Sequence, residues 1–278
     1  MRGKSELKQE GAAASQTSSG LDRDYITNWS YGIGETLTLL VPNVKGGGSG
    51  STMSQSEAAM AKANPMYNGI YSQLPQYFGE QPWTAGPVYV GAFVMFLFVL
   101  GCFIVKGPLK WALLGATIFS ILLSWGKNFM GLTDFFIDYV PMYNKFRAVS
   151  SILVIAEFTI PLLAIFALKE ILSKPDMLKQ EKNCRGVIAA LVLTAGVALI
   201  LAVAPGTFFS SFITTQEMTA LKQALPAEHL APFVANLTEM REAIIASDAW
   251  RSFFIIVIGC LFLFLYQLRK LKASFTLA

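Results

Sequence analysis

Charge is what this sequence has least of. Asp, Glu, Lys and Arg make up only 14% of its 278 residues, where soluble domains carry about 25%. That shortage argues against a freely soluble globular protein. The net charge of +4 is too small, and too scattered over short connections, to make a nucleic-acid face; it fits contact with lipid headgroups instead. Cysteine is scarce as well. Cys102 and Cys260 fall inside apolar runs and Cys184 at the edge of a basic segment, so no disulfide framework is implied. The one histidine, His229, stands between Pro226 and Pro232 and reads as a surface residue rather than a metal ligand. GxGxxG, Walker A, CxxC and HExxH patterns are all missing, which removes the common dinucleotide, P-loop, redox and zinc-protease signatures.

What the chain has in quantity is apolar length. Hydrophobic residues account for 54% and the mean hydropathy is +0.49. Five stretches, about 88–105, 109–125, 149–168, 187–209 and 253–268, approach or reach the roughly 17–25 residues that a helix needs to cross hydrocarbon. A helix satisfies its own backbone in lipid, so the expected fold is all-α, a polytopic transmembrane bundle of about five spans. Positive charge marks the cytoplasmic side. Lys106 and Lys110, then Lys169, Lys174, Lys179, Lys182 and Arg185, then Arg269, Lys270 and Lys272 place 106–110, 169–185 and 269–278 inside. Residues 1–86, 127–148 and 210–251 then lie outside.

Three domains follow: an outer region 1–86, a bundle 87–268 that includes an outer helical loop 210–251, and a basic tail 269–278. About 86 polar residues precede the first span, and Met1–Gly20 has no apolar signal region. The chain therefore reads as a fragment of a larger polytopic protein that lacks N- and C-terminal parts. Within the outer region, 24–42 suits a short surface helix and Gly46–Ser51 a mobile linker. Lys45 beside those glycines could cradle a phosphate, but the linker reading is preferred. Pro205 is expected to end or kink span four, and Pro226 and Pro232 to break the outer helices.

The densest polar group lies between spans two and three. Asp134 and Asp138 are four residues apart and share a helix face. They read either as solvated acids on an interfacial helix or as a pair that holds a divalent cation or takes a proton from an acceptor hydroxyl. Lys127, Asn128, Tyr143, Lys145 and Arg147 stand where a lipid phosphate would lie. The arginine offers a planar fork matched to phosphate oxygens, and Tyr143 and Phe146 an apolar wall. Glu157 falls near the centre of span three, where an acid is a functional candidate by default. Glu35 is a further candidate acid.

Several blocks occur in a familiar order: Arg2–Leu7, Trp29–Thr36, Pro42-Asn43 with the glycines that follow, Leu123–Met130, and Asp138–Pro141 continued by Tyr143–Ser150. In these the chain resembles the central part of a YfhO-family bacterial integral membrane protein of the Bacteroidetes type, strongly over about 1–175 and more loosely beyond. The resemblance implies residence in the bacterial cytoplasmic membrane. It also implies kinship with GT-C glycosyltransferases, which take a sugar from a polyprenyl-phosphate donor and pass it to a cell-envelope acceptor. It carries a donor-phosphate role to Arg147. The catalytic acid of such enzymes lies in the first outer loop, a part not matched here, so this fragment alone is expected to be inactive. A transporter or flippase for a lipid-linked substrate, using Glu157 and the Pro161 break, is the alternative, followed by a non-catalytic membrane scaffold.

Overall fold

A computed structural model of the protein describes residues 21–145, 147–174 and 176–268. The described residues are helical with no strand beyond one isolated bridge between Thr52 and Pro75, so the all-α bundle is as expected. The bundle consists of α1 (Ala92–Ile104), α2 (Pro108–Ser124), α4 (Val154–Ser173), α5 (Glu181–Leu191) continued through a π turn into α6 (Val197–Val203), and α8 (Ala227–Gln267). Between α2 and α4 runs α3 (Met130–Tyr139), and before α8 stands α7 (Thr215–Ala224). Successive passes alternate in direction, which brings the lysine-bearing connections α1–α2 and α4–α5 and the last turn of α8 to one end. Residues 21–91, 126–145, 147–153 and 205–226 form a cap at the other.

Three segments are long and apolar enough to cross a membrane: Val149–Ser173, Glu181–Val203 and Ala227–Gln267. The pair formed by α2 and Gly126–Tyr139 qualifies only together, and is bent by 108°. The expected first span is shorter than its apolar run: α1 has 13 residues, about 20 Å at 1.5 Å per residue. Residues 88–91, counted in that span from hydropathy, are not helical and lead out of the cap.

Small residues let the passes approach closely, the usual device where lipid removes any net hydrophobic drive between helices. A side-chain carbon added at Gly101 of α1 would stand 3.1 Å from the Leu163 carbonyl oxygen of α4, and Ala164 and Ala167 continue that seam, fully or nearly buried. Thr117 and Thr159 join α2 to α4 by a hydroxyl–hydroxyl bond of 2.7 Å. In the α5–α6 pass the Thr194 hydroxyl donates to the Ala190 carbonyl at 2.7 Å, competing with the backbone at the π turn Val192–Gly196. Helix α6 stops at Val203, just before Pro205, as the proline requires. Pro232 behaves differently from expectation. It lies inside the 41-residue α8 without breaking it, because only one backbone bond near the helix start is lost while Phe233, Leu237, Met240 and Ile244 are held in an apolar cluster.

That cluster belongs to the cap. Met53, Ala59, Tyr67 and Tyr71 pack against the N-terminal half of α8 and against Leu221 of α7, with the Tyr71 and Phe233 rings stacked at 5.8 Å. The glycine run 46–51, expected as a mobile linker, is instead a site of close chain contact. Gly46 has φ +83°, and a side chain there would meet the Gln76 carbonyl oxygen at 1.8 Å. Among the bonds that tie the cap to the bundle are Tyr31 N–H to Ser124 O at 2.8 Å, Trp125 Nε1 to Thr36 Oγ1 at 2.9 Å, and Asn43 N–H to Asp248 Oδ2 at 2.8 Å.

Candidate functional site

Helix α2 ends at a sharp corner, and the corner sets the site. At Gly126 φ is +46°, and any side chain would collide with the Ser30 hydroxyl at 2.1 Å. The same hydroxyl receives the Lys127 N–H at 2.8 Å, and Asn128 Nδ2 donates to the Tyr31 carbonyl at 3.0 Å. Asn128 is therefore a structural tie between corner and cap. Lys127 is left with its side chain exposed.

Helix α3 then runs across the end of the bundle. Its Phe135 and Tyr139, with the following Met142, are 53%, 75% and 65% exposed, an apolar shelf with little protein covering it. Tyr143 packs its ring 5.4 Å from that of Phe136, and burial pushes its phenol above the ordinary value. Lys145 and Arg147 follow, both exposed. Arg147 Nη1 donates to the Tyr25 hydroxyl at 2.8 Å, and its guanidinium stands 5.9 Å from that ring. Among the described residues neither Lys127 nor Arg147 has a carboxylate within ion-pair distance. Phe146 lies outside the described residues.

Asp134 and Asp138 do share one face of α3, but a third residue occupies it. Arg23, on the helical turn Arg23–Thr27, reaches both. Its Nη1 donates to Asp134 and its Nη2 to both Asp138 oxygens at 2.7 and 2.9 Å. The Asp138 contact and both negative charges hold the guanidinium firmly protonated. The place read for a divalent cation is thus filled by a side chain of the cap. Among the described residues no three His, Cys, Asp or Glu side chains converge as a metal site would need.

Glu35 is 2% exposed. One carboxylate oxygen accepts from the Tyr77 hydroxyl at 2.5 Å and the other from the Gly32 N–H at 2.6 Å. Burial raises its carboxyl above the usual range, and those bonds oppose the shift. A small recess of about 10 Å³, room for roughly one water molecule, opens beside it, lined in part by Tyr31, Lys45, Gln81 and Thr84. Burial lowers the Lys45 ammonium pKa, with the negative charges of Glu35 and Glu80 pulling the other way. Its Nζ rests 4.4 Å from the Phe209 ring centre and 5.0 Å from that of Phe78. The recess borders the cationic turn, since Ser150 Oγ donates to Gln81 Oε1 at 3.3 Å.

Glu157 sits in the first turn of α4, in the half of the Val149–Ser173 segment nearer the cap rather than at its centre, and its side chain is exposed on the outside of the chain. Three further residues carried no signal of their partners in the sequence. Arg23 and Tyr25 stand more than 100 residues from the partners they hold. Arg241, seen in sequence only as an outer-loop charge, is fully buried. It makes two bonds of 2.7 Å to Glu217 and one of 2.6 Å to the Phe212 carbonyl, with its guanidinium 4.8 Å from the Phe78 ring centre. No family model matches the chain, and neither the curated proteins nor the solved structures give a match.

Proposed function

We propose that this chain is part of a polytopic membrane glycosyltransferase, with the Lys127–Arg147 turn holding the phosphate of a polyprenyl-phosphate sugar donor. One observation carries the reading: an exposed arginine, with one N–H bonded to the Tyr25 hydroxyl, follows in the chain within a few residues of an uncovered apolar shelf. A polyprenyl phosphate needs that combination, with apolar contact for the first isoprene units and charge-assisted bonds for the phosphate. Lys127 and Lys145 add positive charge around it, and the developing charge on the departing phosphate is stabilised in the same place. On this reading the cap faces the outside of the bacterial cytoplasmic membrane and the lysine-rich end faces the cytosol. The resemblance to the YfhO family supports the same assignment and puts the catalytic acid in another part of the longer protein.

The test is donor binding by the purified chain in nanodiscs, read by native mass spectrometry with undecaprenyl phosphate. A hydrogen bond to a charged group contributes about 1.5–3 kcal/mol, so Arg147→Ala should weaken binding by at least about tenfold. Arg147→Lys should keep part of it. Equal binding by the wild type and Arg147→Ala would overturn the donor-site assignment.

A further inference from the structure

At the end of the bundle opposite the cap, a second cavity belongs to none of this chemistry. It encloses about 220 Å³ between α1, α5 and the last turns of α8. Phe96 and Leu100 form one wall, Val187 another, and Leu263 and Cys260 a third. Polarity appears at one end only. There Gln267 accepts the Leu178 N–H at 3.4 Å and donates to the Ile171 carbonyl at 3.3 Å, and Lys179 joins the lining. The cavity therefore has an apolar body and a cationic mouth.

Two features select the occupant. A helix is 10–12 Å across with its side chains, so a space of this volume admits one flexible chain and no helix. The mouth lies on the connection 169–185, which carries five cationic side chains against three acidic ones. Lys179 is itself paired with Asp176, but both are about half exposed, and such surface pairs exchange readily for another anion. We infer that the cavity takes one acyl chain of an anionic phospholipid from the adjoining leaflet, with its phosphate at Lys179. The occupant seals the gap between α1, α5 and α8 at this end. It would thereby fix the relative positions of three passes that reach up to the cap.

The lining supplies its own reporters. Cys184 and Cys260 both face the cavity, while Cys102 does not and serves as an internal control. The full chain, delipidated and placed in nanodiscs of phosphatidylcholine with or without phosphatidylglycerol, is labelled with N-ethylmaleimide, and bound lipid is counted by native mass spectrometry. We expect one retained phosphatidylglycerol and slower labelling of Cys260 when that lipid is present, with Cys102 unchanged. Leu263→Trp, which fills the cavity, should abolish the retained lipid; Val187→Phe is the second filling variant should the first misfold. Lys179→Glu should reduce the preference for phosphatidylglycerol by about fivefold, the effect of roughly one basic residue near an anionic headgroup. Three outcomes would overturn the inference: no retained lipid, retention unaffected by both filling variants, or retention with no headgroup preference, which marks ordinary annular lipid. None of them bears on donor binding at Arg147, which is scored separately at the other end.

Discussion

Arg241 is a fully buried charge, and its removal has a calculable outcome. Its side chain is fully buried and that of Glu217 is 15% exposed. The two charged bonds to Glu217 and the one to Phe212 O hold α7 and the segment before it against α8. Arg241→Met keeps most of the volume and leaves a nearly buried carboxylate and a carbonyl without partners. Breaking one side of a buried pair costs about 3–5 kcal/mol. Replacing both sides is a different matter: Arg241→Met with Glu217→Leu leaves only the Phe212 carbonyl unpaired. The double variant should therefore lie at least about 2 kcal/mol closer to the wild type than Arg241→Met alone, the sign of strong coupling.

Amide hydrogen exchange in Thr215–Ala224 reads this locally. At 1.4 kcal/mol per decade, a loss of 3–5 kcal/mol speeds exchange through local opening by roughly two to four orders of magnitude. Exchange in Val154–Ser173, which shares no side chain with the pair, should not move. The reasoning fails if Arg241→Met exchanges like the wild type, or if the double variant is worse than the single one. The first result would mean that relief of the arginine's desolvation offsets the lost partner, and the second that the orphaned Glu217 carboxylate carries no penalty.

Two further outcomes follow from the site residues. Glu35 has a raised carboxyl pKa, so between its ordinary value of 4.5 and its folded value the folded chain holds more protons than the unfolded one. Stability then falls as pH rises through that window, and the penalty persists above it. Glu35→Gln should be more stable than the wild type at pH 7, with the difference vanishing below about pH 4 in thermal melts; parallel pH profiles would refute the assignment. Asp134→Asn with Asp138→Asn frees Arg23 from a pair only partly shielded from solvent. It should change stability by no more than about 1 kcal/mol and leave polyprenyl-phosphate binding intact, whereas loss of binding would place those acids in the donor site.

The passes of the bundle were legible because apolar run length is a local property. Their ends were not, since packing decides them. Residues 88–91 are apolar enough to be counted in a span, yet they serve as the exit from the cap. Pro232 was misread for a related reason: a proline's local effect was weighed without the apolar cluster that holds its helix together. The cap was the least legible part. Its core joins Met53, Tyr67 and Tyr71 to side chains of α8 more than 150 residues later, a pairing that no window of sequence contains. The cationic turn was legible because Lys127, Lys145 and Arg147 break the expected charge bias. Its support by Tyr25 was not, since an isolated tyrosine carries no signal of what it will touch.

The acids and the cations of the cap have different fates, and that contrast bears on the proposed chemistry. Asp134 and Asp138 hold Arg23. Glu35 has both oxygens engaged and almost no exposure. A base that accepts a proton from an acceptor hydroxyl must reach the substrate within hydrogen-bond distance, and none of these three is placed to do so without giving up a partner. Lys127 and Arg147 have no carboxylate to give up. The cap therefore presents charge suited to holding a phosphate while its candidate acids maintain the fold that positions that charge. A transfer reaction on this surface, as proposed above, would need its base from another segment.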